Sequence, residues 1–282
     1  MKLTSHLFPQ TVRYIISVLR GDCEPFLPYI SDTGAHIPES CIFSQLLNFA
    51  SFLIAITIAV RYKQVEQQCR DNMMPCANKV FALNRWSFLF GLLSAAGVSI
   101  VANFQELQLF TVHMIGASVA FGFGLVYCAI QTHLSYYMYP IVQSGLTLAR
   151  CRLFLTIVLA VSYVTSSVFG PMAYANFKGS DQTKWKPSDG GYLYHVISSV
   201  CEWISALSID FFILSFAHEF KFMSISSPKF YMISTVAVRP LEESASEDSA
   251  YGVINVVNSD SFASPSRASG DPQETPDERS KG

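Results

Sequence analysis

The stretch from Tyr192 to Ala217 most constrains what this chain can fold into. It is long enough to cross a bilayer, because a spanning helix needs about 20 mostly apolar residues. It nevertheless carries His195, Glu202 and Asp210, and no window of that length within it excludes both acids. A carboxylate near the bilayer centre costs about 2.5–3.5 kcal/mol on insertion scales, so it should face other protein or a wet cavity. We therefore expect further helices packed against the polar face of this one.

The rest of the composition agrees with a membrane protein. The 282 residues are 50% hydrophobic and only 14% charged, whereas an average soluble domain has about 25% charged residues. The deficit lies in several long runs without charge, which predict an all-α polytopic bundle. The expected transmembrane helices cover residues 41–60, 86–105, 107–130, 153–173 and 192–217.

Three regions follow from these runs. Residues 1–20 contain an apolar stretch that is too short to span and includes Arg13, so we expect a truncated first helix or an interfacial segment. Residues 21–223 form the transmembrane domain. Residues 224–282 are rich in Ser, Glu, Asp and Pro, and this composition predicts a disordered tail.

The distribution of basic residues predicts the orientation. Residues 61–85 hold five Lys and Arg, whereas residues 21–40 hold none. The positive-inside rule then places residues 61–85 and the tail in the cytosol, and residues 21–40 on the lumenal or extracellular side. Cys23 and Cys41 flank that second loop and are candidates for a disulfide, although their spacing alone leaves the pairing open.

The intramembrane polar residues are the candidate site. In this orientation His113, His195 and Glu202 lie at or below the lumenal ends of their helices, and Asn103 closes the lumenal end of another. We expect these four to converge on a lumen-facing polar pocket, in which histidine protonation would bias helix packing. The alternative is that Glu202 only bonds a neighbouring helix. Asp210 belongs to the cytosolic half, where a basic residue is its expected partner.

Two further patterns have narrower meanings. Gly116, Ala120 and Gly124 recur every four residues, and such a stripe lets a neighbouring helix approach closely. In the tail, the segment from Tyr251 to Ile254 fits a tyrosine-x-x-apolar sorting signal, a pattern that also arises by chance.

Several function classes find no support in the sequence. It contains no nucleophile elbow, P-loop, dinucleotide fingerprint or HExxH motif, and its cysteines lack metal-type spacing. The absence of a basic stripe, with a net charge of −2, argues against nucleic acid as a partner. We therefore expect a protein that is not an enzyme and needs no cofactor.

Several blocks resemble the damage-regulated autophagy modulators of the Frag1/DRAM/Sfk1 group. These blocks are PFLPYISDTG (25–34), RYKQV (61–65), IVANFQE (100–106), WKPSDGGY (185–192) and CEW (201–203). The resemblance implies a six-helix protein of lysosomal or endosomal membranes that promotes autophagy, sometimes coupled to cell death. It supplies no catalytic residues.

The resulting hypothesis is a lysosomal or endosomal multi-pass regulator of autophagy, linked in some relatives to apoptosis. Its expected partners are membrane lipids, and membrane or trafficking proteins that bind the cytosolic tail. Two alternatives remain open. One is a lipid-remodelling enzyme of the GPI type or its accessory subunit, and the other is a transporter or lipid scramblase, which the intramembrane acids favour.

Overall fold

A computed structural model describes residues 28–34, 39–71, 77–139, 145–181, 183–221 and 223. All the described residues belong to one compact unit, which ends at residue 226. Cys23, Tyr251 and Ile254 lie outside the described residues, as do the 1–20 segment and the tail. The expected disulfide to Cys41, the sorting signal and the disordered tail therefore stay predictions.

The described chain is helical, with a short 3-10 turn at Asp32–Gly34. The helices are α1 (Glu39–Asp71), α2 (Ala77–Asn103), α3 (Phe110–Met138), α4 (Gly145–Asn176), α5 (Tyr192–Leu214) and α6 (Phe216–Phe220). Five helical segments within these ranges are long and apolar enough to cross a membrane, the last of them joining α5 and α6. The predicted all-α bundle with five spanning helices is thus confirmed.

The helices extend beyond the uncharged runs that predicted them. The run 41–60 belongs to a helix that ends only at Asp71, because the added turns bury one face. Val65 and Cys69 pack with Val80 of α2 and Leu134 of α3 in one apolar cluster. The expected basic loop at 61–85 is therefore mostly helix, and only residues 72–76 within it lie outside the described helices.

The spanning helices pack in sequence order. The most extensive contacts join α2 with α3, α4 with α5, and α1 with α2, whereas α3 meets α4 and α5 over smaller areas. A second apolar cluster joins these elements across the bundle, with Ile58 from α1, Tyr127 from α3, Leu159 from α4 and Phe212 from α5. The bundle therefore consists of two closely packed pairs, α2–α3 and α4–α5, and α1 packs against α2 of the first pair.

The small-residue stripe lies at the α2–α3 contact. A Cβ added to Gly97 of α2 would come within 2.4 Å of the Ala120 backbone nitrogen and 2.8 Å of the Gly116 carbonyl oxygen. Ser94 Oγ donates a hydrogen bond of 2.7 Å to the Ala120 carbonyl. Further along, Gly124 faces Ser94 and also Ile209 of α5. The backbones of α2 and α3 touch because these positions are small.

Candidate functional site

One end of the bundle is closed by three connecting segments, residues 28–34, 104–109 and 177–191, which we call the cap. The first segment is attached to α5, because the Pro28 carbonyl accepts hydrogen bonds from Ser199 Oγ at 2.9 Å and from Trp203 Nε1 at 3.0 Å. Tyr29 adds a hydroxyl contact to Ser198. Two of the sequence blocks that carry the family resemblance, residues 25–34 and 201–203, thus meet here, although 175 residues separate Pro28 from Trp203.

Aromatic rings fill the centre of the cap. The Trp185 indole stacks on the His195 imidazole with ring centroids 4.4 Å apart and an interplanar angle of 5°. The Tyr29 ring meets the same imidazole edge-on at 4.7 Å, and Tyr174 contacts both Tyr29 and Trp185. His195 is buried, and its Nδ1 has no hydrogen-bond partner. The histidine therefore belongs to an aromatic cluster.

Carboxyl groups surround this cluster. Asp32 Oδ2 accepts a hydrogen bond from the Tyr29 backbone N–H at 3.1 Å, and Glu202 Oε2 accepts one from the Ile30 N–H at 3.3 Å. Glu106 Oε1 accepts a 2.6 Å bond from the Tyr174 hydroxyl, whereas its buried Oε2 has no partner. These bonds come from backbone amides and a phenol, and each of them leaves the charge of the carboxylate uncompensated.

The proximity of the three acids affects the ionisation of the cap. Burial raises the pKa of the Asp32 carboxyl well above its usual range, and the nearby Glu106 and Glu202 raise it further, with a smaller contribution from Asp181. The Tyr29 N–H bond acts in the opposite direction. Removal from water and like charges both favour the neutral acid. The folded cap therefore holds the Asp32 proton to a higher pH than the unfolded chain does.

Two cavities adjoin the cap inside the bundle. The larger, of about 320 Å³, lies among α1, α2, α3 and α5. The smaller, of about 190 Å³, lies among α3, α4 and α5. Ser31, His113 and Glu202 line both. The polar group shared by the two cavities thus comes from the cap, α3 and α5.

The predicted convergence of four polar residues is only partly realised. His113 and Glu202 line the same cavities, whereas His195 is held in the aromatic cluster. The placement of Asn103 in this pocket is wrong. Asn103 is exposed and exchanges hydrogen bonds with Asn48 of α1, at 3.0 and 3.1 Å, because its side chain faces α1.

The expected basic partner of Asp210 is also wrong. Its Oδ2 is buried without a hydrogen-bond partner, and the residue lines the larger cavity. The two buried arginines of the described chain, Arg61 and Arg152, instead pair with Glu219. Asp210 therefore faces an apolar cavity without a compensating charge from either of them.

These arginines mark a buried charge cluster that the sequence analysis missed, at what we call the arginine end. Glu219 Oε2 accepts bonds from Arg61 Nη1 at 2.6 Å and Arg152 Nη2 at 2.9 Å. Its Oε1 accepts a third from Arg152 Nη1 at 3.2 Å. Gln131 Oε1 accepts from Arg61 Nε, and Ser135 Oγ accepts from Arg152 Nη1. The sequence signal was a basic residue beside each of the uncharged runs 41–60 and 153–173, which we interpreted only as a sign of orientation.

An aromatic ring completes this cluster. The guanidinium carbons of Arg61 and Arg152 lie 4.9 and 4.7 Å from the centroid of Phe216. Both cations therefore face the ring at distances typical of cation–π contacts. Phe216 is fully buried at the start of α6, so the cluster joins α1, α4 and α6.

The site offers binding chemistry. Among the described residues, no group of three or more His, Cys, Asp and Glu side chains is placed to hold a metal ion. What it does present is an apolar cavity with carboxyl groups in its wall and a cap whose ionisation is coupled to its packing. Such an arrangement suits the binding of an amphiphile or a response to pH.

Comparisons with known proteins agree with this architecture. The chain is 39% identical over 215 residues to DNA damage-regulated autophagy modulator protein 2 of Bos taurus, covering 75% of this chain and 79% of that protein. It is 39% identical to modulator protein 1 of Mus musculus, covering 76% and 86%. Transmembrane protein 150A of Xenopus laevis is 32% identical over 69% of this chain and 62% of its own length. No solved structure matches.

The match to a family model covers the whole described bundle. The model of the Frag1/DRAM/Sfk1/Cwh43P N-terminal domain matches residues 10–223. These residues include the cap, both cavities and the arginine end. The chain is therefore a multi-pass membrane protein that belongs to the Frag1/DRAM/Sfk1/Cwh43P family.

Proposed function

We propose that this chain regulates autophagy from the lysosomal or endosomal membrane, and that it acts by binding lipids or partner membrane proteins rather than by catalysis. The observation that carries the proposal is the similarity to autophagy modulator proteins 1 and 2 over about three quarters of the chain. The names of these relatives describe modulators and not enzymes. A link to apoptosis and a cytosolic tail that binds trafficking proteins are parts of the same proposal.

The cap supports a mechanism in which the regulator responds to pH. Asp32 faces Glu106 from the α2–α3 turn, Glu202 from α5 and Asp181 from the α4–α5 loop. His113 lines the cavities, and His195 belongs to the aromatic cluster beside them. In the predicted orientation this end faces the lumen, which is acidic in lysosomes.

The sign of the effect follows from the raised pKa of Asp32. An unfolded aspartate has a pKa of about 3.9, whereas the folded cap holds its proton to higher pH. Above the unfolded pKa the folded state binds more protons, so cap stability falls as pH rises. An acidic lumen would therefore keep the cap closed, and neutralisation would loosen it against α5.

The experiment is a measurement of autophagic flux in cells in which the chain is replaced by Asp32→Asn or Glu202→Gln. Either substitution removes a titrating carboxyl, so we expect the flux response to lysosomal neutralisation to weaken at an unchanged protein level. Glu66→Gln, on the exposed face of α1, is the matched control. Normal flux responses in both cap variants at normal protein level would exclude the cap mechanism, and a fall in protein level alone would assign the carboxyls a structural role.

Location is a separate part of the proposal and has its own test. An internally tagged chain is followed against organelle markers beside a Tyr251→Ala variant. Lysosomal residence that is lost in the variant supports both the location and the sorting signal. Lysosomal residence in both removes the sorting signal, whereas retention in the endoplasmic reticulum or Golgi favours a lipid-remodelling role.

A transporter or lipid scramblase is the second candidate function. It is favoured by the acids placed at successive depths, with Glu106 in the cap, Glu202 between the cavities and Asp210 beyond it. Purified protein in liposomes, tested for lipid flipping and for proton or solute uptake, separates this candidate from a regulator without transport activity.

A further inference from the structure

The larger cavity has the size and character of a ligand site. Its volume of about 320 Å³ falls within the range of small-molecule pockets, which are mostly apolar with a few polar groups that fix orientation. The polar groups on α5 are Glu202 and Asp210, eight residues apart on one helix face and thus separated by about 12 Å along the axis.

Two polar atoms in this wall lack partners. Asp210 Oδ2 and the Tyr127 hydroxyl are both buried without a hydrogen bond. The Tyr127 side chain is only 2% exposed, so water does not replace the missing partner. Buried polar atoms are nearly always hydrogen-bonded, so each exception needs a reason. Both atoms belong to residues that line the same cavity, so a ligand bound there would supply the partners that they lack.

The chemistry of the atoms selects the head group of that ligand. A carboxylate only accepts hydrogen bonds, and an ammonium supplies up to three donors with the opposite charge. A phosphate or fatty acid head would instead be repelled by Asp210 and Glu202. Arg61 and Arg152, which bear the buried positive charges at that end, pair with Glu219 and do not line this cavity.

The opposite wall selects the tail. It is formed by apolar side chains along α1, from Phe43 through Leu46, Leu53 and Ile54 to Ile58. The close packing partner of α1 is α2, and that of α5 is α4, so the cavity lies between two helices that do not pack closely. A single hydrocarbon chain can therefore lie along α1 and enter from the bilayer.

We propose that the larger cavity binds a single-chain amphiphile with a protonated amine, whose ammonium contacts Asp210 and Tyr127 and whose tail lies along α1. This inference deepens the proposed function by naming a class of lipid. The test below measures binding to purified protein, so a negative result would not contradict the proposed regulation of autophagy. Conversely, variants with normal autophagic flux would not contradict a positive binding result.

The experiment uses three competitors that have the same chain length and differ in the charge and hydrogen-bonding groups of the head. The full chain is placed in phosphatidylcholine nanodiscs and labelled with dodecylamine that carries a diazirine on its alkyl chain. Unlabelled dodecylamine, dodecanol or dodecanoic acid then competes, and the labelled peptides are mapped by mass spectrometry. We expect labelling of residues 43–58, with dodecylamine competing at least tenfold better than dodecanol and dodecanoic acid competing least.

Variants connect the labelling to the carboxylate. Asp210→Asn should reduce labelling of this peptide at least fivefold, whereas Glu66→Gln, which removes an equal charge outside the cavity, should leave it unchanged. Tyr127→Phe removes only an unpartnered hydroxyl, so it should fold normally and reduce labelling about twofold. This variant decides the question if Asp210→Asn does not fold.

Three results would overturn the proposal. Equal competition by dodecanol would assign the cavity to a neutral amphiphile. Undiminished labelling in folded Asp210→Asn or Tyr127→Phe protein would show that the head group lies elsewhere. Absence of labelling from residues 43–58 in the natural chain would show that the cavity does not bind this class of amphiphile.

Discussion

The two ends of the bundle bury charge in opposite ways. At the arginine end, Glu219 receives three hydrogen bonds from Arg61 and Arg152, and the Phe216 ring lies against both cations. At the cap, Glu106 and Glu202 raise the pKa of the nearby Asp32, and the hydrogen bonds that these three acids accept come from amides and a phenol.

This difference separates a structural role from a responsive one. Two guanidinium partners favour the charged form of a buried carboxylate, so we expect its contacts to change little with conditions. A buried carboxylate among other acids changes its ionisation as pH or a ligand changes. We therefore expect the arginine end to hold α1, α4 and α6 in fixed positions. We expect the cap and the cavities to change with pH or with a bound ligand.

The largest expected effect comes from breaking the arginine end. Glu219→Gln leaves two buried guanidinium groups without their counter-charge, and removal of one partner of a buried ion pair costs about 3–5 kcal/mol. We expect the folded protein to be largely lost from membranes at 37 °C, and the purified variant to unfold at a much lower temperature in detergent.

The control for this prediction is an exposed ion pair on the same bundle. Glu66→Gln removes contacts to Lys63 and Arg70, whose side chains are 73% and 69% exposed, and it should leave the unfolding temperature unchanged. A Glu219→Gln protein as stable as this control would remove the distinction between the two ends.

The next effect is the pH response of the cap. Because the pKa of Asp32 is raised on folding, the unfolding free energy should increase as pH falls from 7.5 to 5, by at most about 1.4 kcal/mol per pH unit for one proton. Asp32→Asn keeps the acceptor for the Tyr29 N–H and should flatten this dependence. Denaturation at several pH values measures both slopes.

The opposite slope, with stability rising toward neutral pH in the natural chain alone, would contradict the prediction. A dependence that survives in Asp32→Asn would show that Asp32 is not the group responsible.

A smaller effect is expected from the ring between the arginines. Phe216→Leu keeps an apolar side chain but removes two cation–π contacts, each worth about 0.5–2 kcal/mol. We expect a loss of about 1–2 kcal/mol in unfolding free energy that does not vary between pH 5 and 7.5. A pH-dependent loss would show that the arginine end also titrates.

The smallest effect should come from one cap hydrogen bond. Ser199→Ala removes one of two donors to the Pro28 carbonyl and leaves Trp203 in place. We expect it to lower the stability of the cap by about 1 kcal/mol, the usual net contribution of one hydrogen bond. Ser167→Ala, an exposed serine on α4 that bonds only within its own helix, is the matched control. Proteolysis of the 28–34 segment should rise in the first variant and remain unchanged in the second.

The spanning helices were predictable because each long uncharged run has one physical explanation in a chain this apolar. The ends of the helices were not predictable. Arg61 and Arg152 end an uncharged run in the sequence, and this pattern is the same for an arginine in solvent and for one buried in the bundle. Their partner Glu219 is separated from Arg61 by 158 residues. A sequence read in order does not pair side chains over such distances.

The candidate site shows the same limit. The predicted orientation placed His113 and Glu202 toward the lumenal side of their helices, and both line the cavities. Depth alone does not fix the direction in which a side chain points, and Asn103 faces Asn48 of α1. The cap escaped prediction because its residues come from segments that appear as loops in the sequence.

The backbone contact between α2 and α3 restricts how this protein can move. Gly97 and Ala120 leave no room for α2 and α3 to slide past one another, so the pair behaves as one rigid body. The pair α4–α5 is packed over a similarly large area. Relative movement is therefore easiest between the two pairs, where α3 meets α4 and α5 over less extensive contacts. Glu202 lies at this joint, because it lines both cavities. A small rotation at this contact would enlarge one cavity and compress the other. A ligand bound in the first cavity would therefore change the volume of the second.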